Sequence, residues 1–277
     1  LDVDGICGPQ TWTALVEAGR QLGERLLYLH SPMQRGDDVT ELQHLLSTLG
    51  FALGRIDGIC GSKTAAATTD FQRNSGLAAD GICGPETIDS LRRFTRHLGA
   101  ATAVSEILEA ESLRQASNSL HGCRVAIGEQ GGLDAAVTAI RRMLVDEGAT
   151  VLTLHHPDWS SQAEQSNRFG ADAFIGLQIR RGDPRTCFYR SDHSVSRGGK
   201  VLATLVAQDL EAVIGSISAH GMRLPILRET RMPAILCRLG DAGAVVANNA
   251  AIARSIRVSL RTWVADRLGE GDFPART

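Results

Sequence analysis

Histidine and cysteine are the side chains best suited to metal binding or nucleophilic catalysis, and neither shows a diagnostic spacing in this 277-residue chain. His155 and His156 are adjacent, so on a strand their side chains point to opposite faces. His155, Asp158 and His193 form the one set that could meet around a metal, although no spacing requires it. Cys237 lies in an apolar run, which favours a core position over a nucleophile.

Residues 123–134, CRVAIGEQGGLD, have the pattern that opens an α/β domain. A short apolar strand leads into the glycine-rich turn 128–132, and an apolar helical pattern starts at Ala135. In such domains this turn lies at the carboxyl edge of the sheet, where ligands bind. The glycines match neither the dinucleotide pattern nor a phosphate loop, because no Lys-Ser/Thr pair follows. The turn is therefore a candidate site whose chemistry must be read from the other segments.

The six cysteines contain no C-x-x-C pair, so a zinc ribbon or a thioredoxin-like redox site is not supported. Cys7, Cys60 and Cys83 fill the same position of a repeated motif, Asp-Gly-Ile-Cys-Gly. We interpret this position as a packing slot for a buried free thiol. Free thiols weakly favour a reducing compartment.

Composition sets broad limits on function. The chain is 43% hydrophobic and 22% charged, with a formal net charge of -2 and room for two or three domains. This charge balance predicts neither nucleic acid nor an anionic membrane as a partner. Arg180, Arg181 and Arg185 form a local basic cluster, which we interpret as a solvated loop. No apolar run approaches the roughly 20 residues of a membrane span.

The motif DGICG occurs at 4–8, 57–61 and 80–84 and is followed by PQT, SKT and PET. Asp and Gly favour a tight turn, and the Pro or Ser that follows favours the start of a helix. A further helix is predicted between residues 39 and 49, where apolar residues recur at i, i+3, i+6, i+7 and i+10. Asp37 or Asp38 is expected to cap its start and Gly50 its end.

The patterns predict an α plus α/β organisation. The first repeat copy, residues 1–30, indicates the C-terminal part of a truncated helical module, as in a fragment of a longer protein; 31–98 form a complete module. Residues 99–120 are predicted as a linker, 121–268 as an α/β domain and 269–277 as a tail. Within 121–268 we expect strands at 125–127, 150–154, 173–179, 187–189, 223–227 and 234–237, and helices at 135–147, 160–169, 195–214 and 245–267.

The helical module resembles the peptidoglycan-binding domain of bacterial cell-wall hydrolases. That family has G-x-x-V-x-x-L-Q-x-x-L-x-x-L-G, then D-G-x-x-G-x-x-T, F-Q, and G-L-x-x-D-G-x-x-G-x-x-T. The resemblance implies peptidoglycan or its precursors as the ligand. The matching residues are Gly36, Val39, Leu42, Gln43, Leu49, Gly50, Asp57, Gly58, Gly61, Thr64, Phe71, Gln72, Gly76, Leu77, Asp80, Gly81, Gly84 and Thr87.

The α/β region resembles the zinc-dependent N-acetylmuramoyl-L-alanine amidases, which cleave between the glycan and the stem peptide of peptidoglycan. Three motifs of that family correspond to segments of this chain. D-P-G-H-G-G corresponds to IGEQGG at 127–132, A-D-x-x-I-S-I-H-A-N to part of NRFGADAFIGLQIR at 167–180, and P-A-x-L-V-E-x-G-F to part of MPAILCRLGD at 232–241. The resemblance implies a zinc held by two imidazoles and a carboxylate, with a Glu that moves the proton.

The expected catalytic positions are replaced in this sequence. Gln130 and Gln178 stand where the family has its imidazole ligands, and Arg238 stands at the catalytic Glu. Asp134 is the nearest acid that could replace the carboxylate ligand. A Gln amide is a poor zinc ligand, and Arg cannot act as a base. At about 4 Å and an effective dielectric of about 20, Arg238 would repel a dication by on the order of 4 kcal/mol per unit charge.

These replacements predict a catalytically inactive amidase homologue that retains no metal and no catalytic residue. It would bind peptidoglycan or its precursors, with a cell-wall synthesis protein as a further possible partner, and act in cell-wall metabolism or its regulation. One alternative is an active amidase with a rearranged zinc site. Another is a purely structural interaction protein without glycan affinity. Separately, Gln130 and Gln178 could be only the polar lining of a closed cleft. The binding module favours the cell wall, whereas the unpaired cysteines and the lack of a signal peptide favour the cytoplasm.

Overall fold

The computed structural model describes residues 7–8, 11–12, 16, 19–54, 56–96, 110–111, 113–180, 182–190 and 195–269. The chain divides into two compact units, Leu1–Leu108 and Glu109–Thr277. The first unit contains the described helices α1 (Asp37–Thr48), α2 (Ser62–Asn74) and α3 (Pro85–Arg96). Their apolar faces meet in one core, in which Leu42, Leu46, Phe71 and Leu91 are buried.

The start of α1 differs from the expectation. Its N-cap is Gly36, and no side chain caps the helix. Neither Asp37 nor Asp38 caps it, and Asp38 instead forms an ion pair with Arg25, whose Nε lies 2.7 Å from its Oδ2. Gly50 was expected to cap the end of the helix. The C-cap residue is Leu49, and Gly50 follows it with a φ of +91°, as a glycine that ends a helix commonly does.

Two buried glutamines hold the repeated turns of this unit. The Nε2 group of Gln43 donates to Asp57 Oδ1, Ile59 O and Thr64 Oγ1, while its Oε1 accepts from the backbone of Asp57 and Gly58. Each glutamine belongs to the helix that precedes the turn it binds, so the helix and the DGICG turn are fixed together.

The second glutamine, Gln72, repeats this arrangement one motif later. Its Nε2 donates to Asp80 Oδ1, Ile82 O and Thr87 Oγ1, and its Oε1 accepts from Gly81 N. The matching F-Q and L-Q positions of the sequence therefore have a structural role, because they satisfy the polar groups of a buried turn.

The cysteines of the repeat are free thiols in unequal environments. Cys60 and Cys83 are buried, and burial raises the pKa of Cys60 to about 11 and that of Cys83 to about 12. Cys7 of the first copy is exposed, so the packing-slot interpretation is wrong there. Trp12 and Val16, near this copy in the sequence, are also exposed.

The second unit contains a six-stranded mixed sheet in the order β2-β1-β3-β6-β4-β5. The first four strands in this order are parallel, β4 runs antiparallel to β6, and β5 is parallel to β4. The predicted α/β architecture is confirmed. The strands are β1 (Arg124–Glu129), β2 (Thr150–His155), β3 (Ala173–Gln178), β4 (Arg185–Tyr189), β5 (Ser218–Met222) and β6 (Ala234–Arg238). The helices are α4 (Asp134–Asp146), α5 (Trp159–Phe169), α6 (Arg197–Ile214), α7 (Pro225–Glu229), α8 (Ala242–Ala247) and α9 (Asn249–Ala265).

Helices cover both faces of the sheet, and alternate strand residues enter different cores. Ile175 and Leu177 of β3 pack in a core with α4, α6 and α9, whereas Phe174 packs in a core with α5 and α7. Leu113 and Leu120, from the segment expected as a linker, are buried in the first of these cores.

Two predicted elements near the C-terminal end are wrong. Residues 223–227 were expected as a strand, but the strand is Ser218–Met222 and α7 begins at Pro225. Proline suits the first turn of a helix, where its missing N–H removes no hydrogen bond. The single helix expected at 245–267 is divided at Asn248, which ends α8 and precedes α9. None of the described helices has the length and apolar character required to span a bilayer.

Candidate functional site

The turn after β1 is shaped by glycine and by one buried carboxylate. Gly131 and Gly132 have φ values of +130° and +81°, which other residues rarely adopt. Glu129, at the end of β1, is only 2% exposed, and its Oε2 accepts hydrogen bonds from Gly131 N and Leu133 N. The side chain of the strand's last residue thus fixes the path of the chain into α4.

Gln130 and Gln178 contact each other at this edge of the sheet. Gln178 Nε2 donates to Gln130 Oε1 at 2.9 Å, and Gln130 Nε2 donates to Pro157 O at 2.6 Å. Arg238 is the register partner of Gln178 on the neighbouring strand β6, so both side chains point to the same face. The structure therefore brings together Gln130, Gln178 and Arg238 on the face covered by α5 and α7.

Asp134 lies apart from these three residues. It begins α4, and its Oδ1 is 3.4 Å from Nδ1 of His155. The same Nδ1 is 2.8 Å from Oε1 of Glu129, and one ligand atom from each of the three residues lies within 4.8 Å of the others. Glu129 and His155 are register partners, and they alternate with residues of the α5 and α7 core. This cluster, which we call the acidic triad, therefore occupies the opposite face of the sheet.

The metal set considered from the sequence, His155, Asp158 and His193, is not tested as a whole, and the described residues offer a different set around His155. His155 takes part in a possible metal cluster, but Asp158 caps α5 by accepting from Ser160 N and Ser161 N. Burial alone would raise the pKa of Asp158, but these hydrogen bonds outweigh it and the pKa is lowered. His193 is outside the described residues. Glu129, which the sequence analysis missed, completes the cluster; the sequence marks it only as a carboxylate at the end of a predicted strand.

Gln162 of α5 also supports the site and was missed. Its Nε2 donates to Glu129 O at 2.9 Å and to His156 O at 2.6 Å, so it fixes the ends of β1 and β2. A Cβ at Gly128 would overlap Gln162 Oε1, which explains the glycine before Glu129. The available signal was a polar residue on the apolar side of the predicted helix.

The interpretation of the basic cluster as a solvated loop is wrong for Arg185. Arg185 belongs to β4 and is the register partner of Arg238, and both are only partly exposed. Burial, with the charges of Arg180 and Arg185, lowers the pKa of Arg238, against an opposing effect of Cys187. Arg180 is also partly buried, and Arg181 is outside the described residues.

The two faces differ in their suitability for a metal. Gln130, Gln178 and Arg238 offer no imidazole and no carboxylate, and a guanidinium repels a cation, so these residues do not fit a zinc ion. The acidic triad offers one imidazole nitrogen and two carboxylates, which are ligands for zinc and other divalent ions.

Several solved structures resemble about half of this chain. The amidase AmiC2 of Nostoc punctiforme is 15% identical, with a TM-score of 0.44, and the match covers 52% of this chain and 98% of that chain. The amidase Ami1 of Mycobacterium smegmatis is 11% identical, with a TM-score of 0.45 and coverage of 53% and 98% respectively.

Sequence comparison assigns the family. The family model of the peptidoglycan binding domain matches residues 35–91, the part that contains both glutamine-held turns. A protein of Mycobacterium tuberculosis named N-acetylmuramoyl-L-alanine amidase CwlM is 32% identical, over all of this chain and 78% of its own length. The chain therefore belongs to the N-acetylmuramoyl-L-alanine amidase family of cell-wall proteins, with a peptidoglycan-binding domain preceding an amidase-like α/β domain.

Proposed function

We propose that this protein binds peptidoglycan or its precursors and does not hydrolyse them. The proposal rests on Arg238, which the sequence resemblance aligns with the family's catalytic Glu, and on one observation: Arg238 lies on the same face as the hydrogen-bonded pair Gln130 and Gln178. Arginine does not accept a proton near neutral pH, so it cannot activate water as a carboxylate would.

The geometry of the glutamines supports the loss of the family's zinc from this face. Gln130 uses its Nε2 on Pro157 O and its Oε1 on Gln178, so its amide is occupied by protein groups. A neutral amide oxygen is also a weak ligand for zinc. The role that remains for this cleft is recognition, which fits a regulator of cell-wall metabolism acting with peptidoglycan, its precursors or a partner protein.

The test uses the purified full chain and an active amidase as a positive control. We expect the protein to pellet with insoluble peptidoglycan and to release no stem peptides from purified cell walls. Metal analysis of the same sample reports any bound zinc. Failure to pellet would contradict the binding proposal, and stoichiometric zinc together with stem-peptide release would contradict the proposed inactivity.

The acidic triad supports one alternative, an active amidase with a metal in a new position. Its three ligand atoms lie close together, but on the face of the sheet opposite Gln130, Gln178 and Arg238. The variant His155→Ala distinguishes an active amidase from an inactive binding protein. In an active amidase it would remove both zinc and activity, whereas in the inactive protein peptidoglycan binding stays unchanged and no activity exists to be lost.

A further inference from the structure

We propose that Arg180, Arg185 and Arg238, together with Gln178, form a binding site for an oxyanion, either a carboxylate or a phosphate group of a ligand. These residues are called the arginine row. The inference goes beyond the proposed function and does not depend on it, because an active amidase with a metal on the opposite face would retain the same arginines.

Strand pairing places the arginine row at one edge of the sheet. Arg238 ends β6, where its register partners are Gln178 on β3 and Arg185 on β4. Residues paired in this way point to the same face, so one guanidinium lies between an amide and a second guanidinium. Arg180 follows β3 by two residues, and its charge acts on Arg238. The carboxyl edge of parallel strands is also where α/β domains bind ligands.

Two arginines of the row, Arg185 and Arg238, have no carboxylate partner among the described residues. Arg185 Nε makes a long contact of 3.4 Å with Asp183 O. Like charges on directly paired strand residues destabilise a sheet. An anion between the two guanidinium groups would replace this repulsion with charge-assisted hydrogen bonds.

Two buried polar atoms at the row have no hydrogen-bond partner. Arg238 Nε and Gln178 Oε1 are both inaccessible to solvent and unpaired in the described structure. Such atoms are uncommon, because an unpaired buried donor or acceptor costs its desolvation energy. Because both atoms are covered by protein, a ligand pairs them only when the side chains around them shift on binding. An oxyanion accepts from the guanidinium, and an adjacent N–H or O–H group of the ligand donates to Gln178.

The chemistry of the ligand follows from these groups. Arginine binds carboxylate and phosphate with paired, parallel hydrogen bonds, and both groups match a guanidinium fork. A carboxylate beside an amide N–H, as at the end of a peptide, would satisfy Arg238 and Gln178 together. A phosphate with one protonated oxygen would do the same. The two sources share the oxyanion, and the experiment below distinguishes them.

The experiment titrates the full chain with inorganic phosphate in one arm and with N-acetylalanine in the other. Sodium chloride at equal ionic strength corrects for general salt effects. We expect saturable binding in at least one arm, measured by calorimetry, and a corresponding rise in the thermal unfolding temperature. The arm with the lower Kd identifies the oxyanion source.

The variants Arg238→Gln and Arg142→Gln form a matched pair. Arg142 is an exposed arginine on α4, so its replacement changes the net charge equally without touching the row. Arg238→Gln should raise the Kd about tenfold or more, as for loss of a charge-assisted hydrogen bond, whereas Arg142→Gln should leave it unchanged. Arg185→Gln should also weaken binding, and it replaces Arg238→Gln in the comparison if the latter does not fold.

The wild-type protein gives an independent measurement. The Nε–H resonance of Arg238 should shift on titration and saturate with the Kd found by calorimetry. The proposal is overturned by an absence of saturable binding in both arms, or by equal Kd values for the wild type and both row variants. Either result leaves the peptidoglycan-pelleting and stem-peptide assays unaffected, so the two proposals fail separately.

Discussion

Two pairs of glutamines in this molecule differ in how completely their side-chain amides are hydrogen-bonded. In the helical unit, Gln43 and Gln72 are buried and bind a turn with both ends of their amides. At the edge of the sheet, Gln130 and Gln178 bind each other, and Gln178 Oε1 is buried without a partner. The same side chain is thus a complete structural element in one unit and an incompletely satisfied group in the other.

The difference separates amides whose hydrogen bonds are complete from amides whose hydrogen bonds are not. A fully satisfied buried amide stabilises a unique structure, whereas an unsatisfied one costs free energy. Proteins tolerate such inconsistencies mainly at sites where a ligand or a mechanism compensates for them. The incompletely satisfied amide at the sheet edge is therefore consistent with the oxyanion site proposed above, whereas the amides of the helical unit need no ligand.

The largest expected effect is that of Gln43→Ala. It removes the bonds to Asp57, Ile59 and Thr64 and leaves buried backbone donors unpaired. We expect a loss of about 3 kcal/mol or more in the unfolding free energy of the helical unit. Amide hydrogen exchange of residues 36–96 measures it. The variant Gln21→Ala, at an exposed glutamine, is the control. If Gln43→Ala destabilises the unit no more than this control, Gln43 does not have the structural role assigned to it.

A smaller effect is expected for Gln178→Ala. Its amide makes one described hydrogen bond, to Gln130, and its removal also removes an unpaired buried acceptor. The unfolding free energy of the α/β unit should therefore fall by about 1 kcal/mol or less. Hydrogen exchange of β3 and β6 reports the change. A loss as large as that of Gln43→Ala would show that both pairs of glutamines are structural.

The smallest effect concerns the acid titration of Asp80. A hydrogen bond from Ile82 N and a second from Gln72 lower the pKa of this carboxyl. A lowered folded-state pKa stabilises the fold above the ordinary carboxyl pKa, and this contribution is lost as pH falls through the folded-state value. Gln72→Ala should raise the pKa partway, because the bond from Ile82 remains. An NMR titration measures it, and an unchanged pKa in the variant would contradict the assigned role of Gln72.

Local patterns in the sequence predicted most elements of this fold. The spacing of Val39, Leu42 and Leu46 defined α1, and the apolar runs defined the strands of the parallel part of the sheet. The failures occurred where two signals competed. Around Pro225 the apolar residues suggested a strand, but proline favoured a helix start, and at Asn248 the apolar pattern continued across a break.

The candidate site was harder to predict from the sequence, because it depends on which strands pair and in which register. The resemblance identified Gln130, Gln178 and Arg238, and the structure places them together. The partnership of Glu129 with His155 requires the register of β1 and β2, which no local pattern contains. Likewise, Arg185 reads as part of a basic loop until its strand is aligned with Arg238.

The arrangement of the acidic triad and the arginine row gives the carboxyl edge of the sheet an electrical polarity. Glu129 and Asp134 lie on one side of a single backbone layer, and Arg185 and Arg238 lie on the other. A molecule approaching this edge meets potentials of opposite sign within the thickness of one sheet. A ligand with separated positive and negative groups would accordingly be aligned before it made any contact, and its orientation would weaken as salt screened the field.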